Sequence, residues 1–125
     1  MPSTEKQLER RKHERFQVPT GAVVTFGPPY LRLGRVINIG IGGLGYSYTA
    51  DLELPNPSSE LDIFSAAWDF YLYNIPFVTI WDFETDGMRY SSTKMRRSGL
   101  QFRQLTSAQM SRLEYFIEKH VTGSI

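Results

Sequence analysis

The 125-residue sequence contains no cysteine. Disulfides, thiol catalysis and zinc sites built on thiolates are excluded with it, and a reducing compartment is permitted. Long apolar runs are also missing, and Met1 to Arg15 is charged and polar. No membrane span and no secretory leader is therefore expected, and the chain reads as soluble and cytoplasmic. Histidine is scarce: His13 and His120 stand near opposite ends, with no nucleophile motif, phosphate-binding loop or metal-ligand spacing around them. Asp82, Glu84 and Asp86 alternate, which in a strand reads as a solvated face. The expectation is a binding module, not an enzyme, with no metal and no cofactor.

Charge is small overall and uneven in placement. The formal net charge is +1, yet Lys6, Arg10, Arg11, Lys12 and Arg15 are gathered in the first fifteen residues, against Glu5, Glu9 and Glu14. The remainder is close to balanced, so a DNA-binding face covering a long site is not expected, and a compact anionic ligand suits the charge better. Arginine is the side chain suited to forked recognition of phosphate and of the guanine edge. A solvated leader explains a short basic run equally well, and charge alone does not choose between the two.

The densest feature is Val36-Ile-Asn-Ile-Gly-Ile-Gly-Gly-Leu-Gly-Tyr-Ser-Tyr48, an apolar strand, a turn rich in glycine, and a second apolar strand. Gly40, Gly42, Gly43 and Gly45 are costly in strand surroundings, so some must supply positive φ or let another group approach the backbone. Asn38 brings an amide to the lip of this turn. Taken alone, the stretch is a β-hairpin with a bulge or a ligand-holding turn.

Around it the chain reads as short strands. Phe16 to Val18 can enter the fold, and Ala22 to Phe26 forms a strand closed by Gly27-Pro28-Pro29. Leu31 to Ile39 follows, with Leu31, Leu33 and Ile37 or their neighbours facing inward, then Leu44 to Tyr48. Residues from Asp51 to Glu60 are a surface loop. Leu61 to Phe64, Trp68 to Tyr73 and Ile75 to Phe83 read as three separate strands; Asp86-Gly87 signals a hairpin returning through Met88 to Tyr90, and Ser98 to Phe102 is the last strand. Frequent turns and the lack of helical spacing favour a closed β-barrel, which leaves little exposed edge. One helix ends the chain: Thr106 is its N-cap, Gln109 completes a capping box, and Leu105 packs on Met110. Met110, Leu113, Phe116, Ile117 and Val121 form its apolar face, and Gly123 marks its end.

Two separated stretches then read together. Arg11-Lys-His-Glu-Arg15 followed by Asn38-Ile-Gly-Ile-Gly-Gly43 resembles the RxxxR pair and (D/N)xSxxG turn of the PilZ family, receptors for the second messenger cyclic di-GMP. Gly99-Leu-Gln-Phe102, Leu105-Thr106, Gln109 and Leu113 resemble that family's final strand and capped helix. The resemblance implies an all-β domain with a C-terminal helix, a six-stranded antiparallel Greek-key barrel over residues 10–125, preceded by a flexible segment over 1–9.

It also implies a cyclic di-GMP site. Arg11 and Arg15 would fork onto phosphates and the guanine edge, with Arg10 and Lys12 adding charge. Asn38 would contact guanine, and Gly43 would keep the turn open. Gly40 stands where the family has serine, and one lost hydroxyl contact weakens binding by about 0.5–1.5 kcal/mol. By its position on a late strand, Trp81 is either a stacking face for guanine or a core residue. The implied role is a cyclic di-GMP receptor in bacterial signalling, acting on a protein partner in signalling or motility. The alternatives are a degenerate PilZ-like adaptor that binds protein without the nucleotide, and a single-stranded nucleic-acid binder using barrel aromatics with the basic leader.

Overall fold

The computed structural model describes residues 15–18, 21–27, 32–50, 59–66, 69–85 and 94–120. These form seven strands and one helix: β1 Arg15–Gln17, β2 Val23–Gly27, β3 Arg32–Gly40, β4 Gly43–Ala50, β5 Glu60–Ser65, β6 Phe70–Glu84, β7 Lys94–Phe102 and α1 Ser107–His120. Every pairing is antiparallel, and the order β3-β2-β5-β6-β7-β4 returns to β3 through the β3–β4 ladder. The six strands thus close into the expected barrel. The link from β4 to β5 joins strands that are not neighbours, whereas β5, β6 and β7 follow one another as a meander.

β1 is an addition to that ring. Its residues pair with the end of β3, Arg15 opposite Gly40 and Gln17 opposite Asn38, on the edge that β2 occupies further along. The Val18 amide donates to the Ile37 carbonyl, and the Val36 amide donates to the Ala22 carbonyl. β1 and β2 therefore behave as one interrupted strand along β3. Because this backbone pairing holds Arg15, anchoring begins one residue before Phe16, the first apolar side chain of the entering segment.

The barrel is filled by alternate residues, as strand geometry requires. Val24, Phe26, Leu61, Ile63, Leu72, Ile75, Phe77, Leu44, Tyr46 and Leu100 are all buried, with Phe26 in ring contact with both Tyr46 and Phe77. In β3 the inward positions are Gly34 and Val36 and then, past a register shift between Val36 and Asn38, Ile39. Leu33 is 64% exposed, so it does not face inward. Gly34 takes an inward place because a Cβ there would collide with the Tyr46 ring, which fills that space. Leu31 lies outside the described residues.

β6 corrects the sequence reading at one further point. Trp68 to Tyr73 and Ile75 to Phe83 are not two strands; from Phe70 onward they form a single strand of 15 residues. Asn74 lies at φ 58°, a left-handed conformation that asparagine tolerates better than most residues. Its amide N–H donates to Asp62 Oδ1 at 2.9 Å and its Nδ2 donates to Glu60 Oε1 at 3.3 Å. β5 clamps the kink, the β5–β6 register shifts there, and the strand continues. Asp86-Gly87, Met88 to Tyr90 and Asp51 to Ser58 lie outside the described residues.

Helix α1 begins as its capping residues require. The Thr106 amide donates to Gln109 Oε1 at 2.9 Å, and the Gln109 amide donates to Thr106 Oγ1 at 3.0 Å. Leu113 and Phe116 are buried, and Phe116 stacks on Phe70 with ring centroids 4.1 Å apart. Gln109 Nε2 and Arg112 Nε donate to the Tyr73 and Tyr71 carbonyls, fastening the helix along the first half of β6. Val121 and Gly123 lie outside the described residues. No described helix is long and apolar enough to cross a membrane.

Candidate functional site

Alternation in the strands also decides which residues lie on the outer side of the barrel wall. With Leu44, Tyr46 and Leu100 inside, Gly43, Gly45, Ser47, Gly99 and Gln101 face out, and three rows run across neighbouring strands. The first holds Gln17, Asn38, Gly45, Gly99 and Trp81. Beside it, on the side of the glycine turn, lie Arg15, Gly40, Gly43, Gln101 and Val78; on the other side lie Arg35, Ser47, Arg97 and Phe83. The rows are about 6.7 Å apart and the strands about 4.8 Å apart.

In the middle row the two glycines carry no side chain, and their neighbours fold over them. A Cβ on Gly45 would lie 3.0–3.3 Å from the Asn38 amide group. A Cβ on Gly99 would collide with the Trp81 indole. Asn38 therefore covers the floor from one side and Trp81 from the other. Trp81 stays 39% exposed, so it is not a core tryptophan, and it makes a tilted ring contact with Phe83 at 5.2 Å.

Arg15 crosses the same floor. Its Nη1 donates to Asn38 Oδ1 at 3.4 Å, and its Nη2 donates to the Leu100 carbonyl of β7 at 3.2 Å. A guanidinium starting on β1 thus ends above β4 and beside β7. Gly43 permits this: a Cβ there would collide with the Leu100 carbonyl oxygen and come within 2.9 Å of Arg15 Nη2. None of Gly40, Gly42, Gly43 and Gly45 has a positive φ, which among the described glycines belongs to Gly21. Close approach is what Gly43 and Gly45 supply.

Of the residues expected to form the site, the structure brings Arg15, Asn38, Gly43 and Trp81 onto one outer face, with Gly40 in the row of Arg15. Arg10, Arg11 and Lys12 lie outside the described residues. Sequence reading missed Arg35, Ser47, Arg97, Phe83 and Gln101, because only the ladder registers place them beside the floor. From the Arg15 row outward, Pro76, Val78, Gln101, Phe102, Arg103 and Gln104 line an open groove of about 690 Å³.

A second polar cluster lies on the inner face near one mouth of the barrel. Tyr48 Oη donates to Asp82 Oδ2 at 2.6 Å, and Arg96 Nε pairs with Asp82 Oδ1 at 2.6 Å. The Arg32 guanidinium sits 4.1 Å from the centre of the Tyr48 ring. Burial, with the Asp82 hydrogen bond next in weight, pushes the Tyr48 phenol up to about 12, and the bond to Asp82 raises the Arg96 guanidinium. Asp82 is consequently half-buried and paired, in contrast to the solvated face expected of it. The cluster faces away from the glycine floor and joins β4, β6 and β7. Among the described residues no group of three histidine or carboxylate side chains is placed to hold a metal ion.

No protein-family model and no curated protein matches the chain. Solved structures do resemble it. The PilZ domain of YcgR from Escherichia coli with c-di-GMP superposes with a TM-score of 0.64 at 16% identity, over 89% of this chain and 91% of that one. YcgR from Escherichia coli in complex with c-di-GMP matches at 0.64 and 16%, over 87% of this chain and 45% of its own. MrkH, a c-di-GMP-dependent transcription regulatory factor, matches at 0.62 and 15%, over 87% and 50%. The chain thus spans about half the length of the two longer proteins. It has a PilZ-like fold, a closed six-stranded antiparallel barrel with a C-terminal helix.

Proposed function

We propose that the protein is a cyclic di-GMP receptor module without enzymatic activity, and that the outer face around Gly43, Gly45 and Gly99 is its nucleotide seat. The observation that carries this reading is the Arg15 guanidinium crossing the glycine floor between Asn38 and the Leu100 carbonyl. A guanidinium is the group suited to forked contact with a phosphate or a guanine edge, and this one is already carried onto the floor. Asn38 adds an amide that both donates and accepts, and Trp81 offers an exposed indole on which a base can stack. The likeness in fold to YcgR and MrkH, which carry or depend on c-di-GMP, supports the same reading.

Binding on this face exchanges the Arg15 contact to Leu100 for a contact to the ligand. Arg10 and Arg11 then close over the nucleotide from the leader, and the altered surface is what a partner reads. Gly40 in place of serine leaves one hydroxyl contact unmade, which weakens the site without emptying it.

The test is a calorimetric titration with cyclic di-GMP. The intact chain releases binding heat at one saturable site, and Arg15→Ala weakens binding by about 1.5–3 kcal/mol, the range for a charged hydrogen-bond partner. Identical curves for the two proteins would remove Arg15 from the site. The second reading, an adaptor that docks a protein without the nucleotide, is favoured by the exposed Ile80 and Phe83 beside Trp81. It takes precedence if the intact chain shows no heat.

A further inference from the structure

Arg97 is a half-buried guanidinium on the outer face of β7, one row from the glycine floor. Among the described residues it has no carboxylate, carbonyl or ring partner. Arg35 on β3 is exposed and likewise has no such partner among the described residues, and both are in register with Ser47, one on each side. Two like charges that flank one serine at a Cα separation of roughly 10 Å repel each other weakly through solvent, and an anion between them would be attracted by both. The nearby carboxylate of Asp82 faces inward and is already held by Arg96 and Tyr48. Placed near each other on one outer face, the two guanidinium groups make a patch of positive potential suited to an anion.

The position of this pair relative to Arg15 suggests what the partner is. Arg15 delivers its guanidinium onto the Leu100 carbonyl, and Arg97 lies three residues along the same strand, roughly 10 Å at the rise of an extended chain. A ligand about 10 Å long laid along the strip between them can reach both positions. At the far edge, opposite Gly99 and Arg97, the exposed rings of Trp81 and Phe83 stand side by side. Cation, a glycine floor under Asn38 and Trp81, cation and aromatic edge together fit a molecule with two separated phosphates and a flat base.

We propose that Arg97, with Arg35 beyond Ser47, holds the second phosphate of a cyclic dinucleotide whose first phosphate rests on Arg15, so that the ligand spans the glycine floor lengthwise. This rests on the receptor reading above and adds two residues and a direction to it. One guanine then lies against the Trp81 and Phe83 edge, between the two phosphate contacts.

Calorimetric titration with cyclic di-GMP tests it, on the intact chain and on Arg97→Met, Arg97→Lys and Arg35→Gln variants, at low and moderate salt. Methionine keeps the aliphatic stem and removes the charge. Arg97→Met is expected to bind about tenfold or more weakly and with a shallower salt dependence, while its ligand-free melting temperature is unchanged. Arg97→Lys falls between, because a point charge replaces the fork. Arg35→Gln, at an exposed position, weakens binding several-fold and carries the test should Arg97→Met lower the melting temperature. Equal affinities for the intact chain, Arg97→Met and Arg35→Gln would overturn the second phosphate contact and leave the receptor reading standing. Absence of binding heat from the intact chain would overturn the receptor reading and this proposal with it.

Discussion

At Gly43, Gly45 and Gly99 the side chain is missing for a reason that can be measured. A methyl on Gly43 meets a backbone carbonyl, Leu100 O, which moves only if β4 separates from β7. Gly43→Ala is therefore expected to destabilise the protein by about 1–3 kcal/mol, the usual cost of overpacking, read from denaturant midpoints. A methyl on Gly99 meets the Trp81 indole instead, and that exposed ring can swing outward. Gly99→Ala should cost less stability but shift tryptophan emission and weaken cyclic di-GMP; a midpoint as low as that of Gly43→Ala would show the indole to be fixed. Gly40 differs from both. It sits in β3 opposite Arg15 without positive φ, so an L-residue fits its backbone. Gly40→Ser is expected to tighten cyclic di-GMP binding by up to about 1.5 kcal/mol with unchanged ligand-free stability. A tightening absent on a stable variant would place the nucleotide away from this turn.

Individual elements carry their own tests. The reciprocal bonds between Thr106 and Gln109 satisfy donors at the start of α1 that have no partner within the helix. Thr106→Ala should cost about 1 kcal/mol of stability, and an unchanged midpoint would mean that packing of Leu113 and Phe116 alone sets the helix start. The mouth cluster ties β4 to β6 and β7 through a phenol whose folded pKa is raised from 10.0 to about 12. A raised acid favours its protonated form in the folded state, so the contribution is fully present below about pH 10 and is lost as pH rises through about 12. Tyr48→Phe has no phenol to ionise. Its stability should therefore fall less than that of the wild type between those values, as followed by denaturant midpoints at each pH. Parallel curves would mean that neither burial nor the Asp82 bond raises the phenol in the folded state.

At the scale of the molecule, five strands contribute to one face, so a ligand seated there should stabilise the barrel as a unit. Linkage gives about 2.7 kcal/mol of added stability at a ligand concentration of one hundred times Kd. Cyclic di-GMP is expected to raise the melting temperature of the intact chain in a concentration-dependent way, and GMP, with a single phosphate, should do so less at equal concentration. Equal shifts for the two would argue that only one end of the face is used.

Much of this was determined by the sequence itself, because the relevant signals are local. Alternating apolar residues with frequent turn chemistry dictate short strands, and Thr106 with Gln109 dictates where the helix starts. The resemblance of the stretches Arg11 to Arg15 and Asn38 to Gly43 to the PilZ motifs points to a candidate site before any fold is known. Ladder register and bulges, by contrast, depend on which strands meet. The shift at Val36 and Asn38 turned Leu33 outward, and the kink at Asn74, clamped by Glu60 and Asp62 of β5, joined two expected strands into one. Closure of the barrel then put Gly99 of β7 beside Gly45 of β4 and brought Trp81, Phe83 and Arg97 to residues some fifty positions earlier. Side chains that meet only across paired backbones leave no periodic trace along the chain, so those neighbours became visible only in three dimensions.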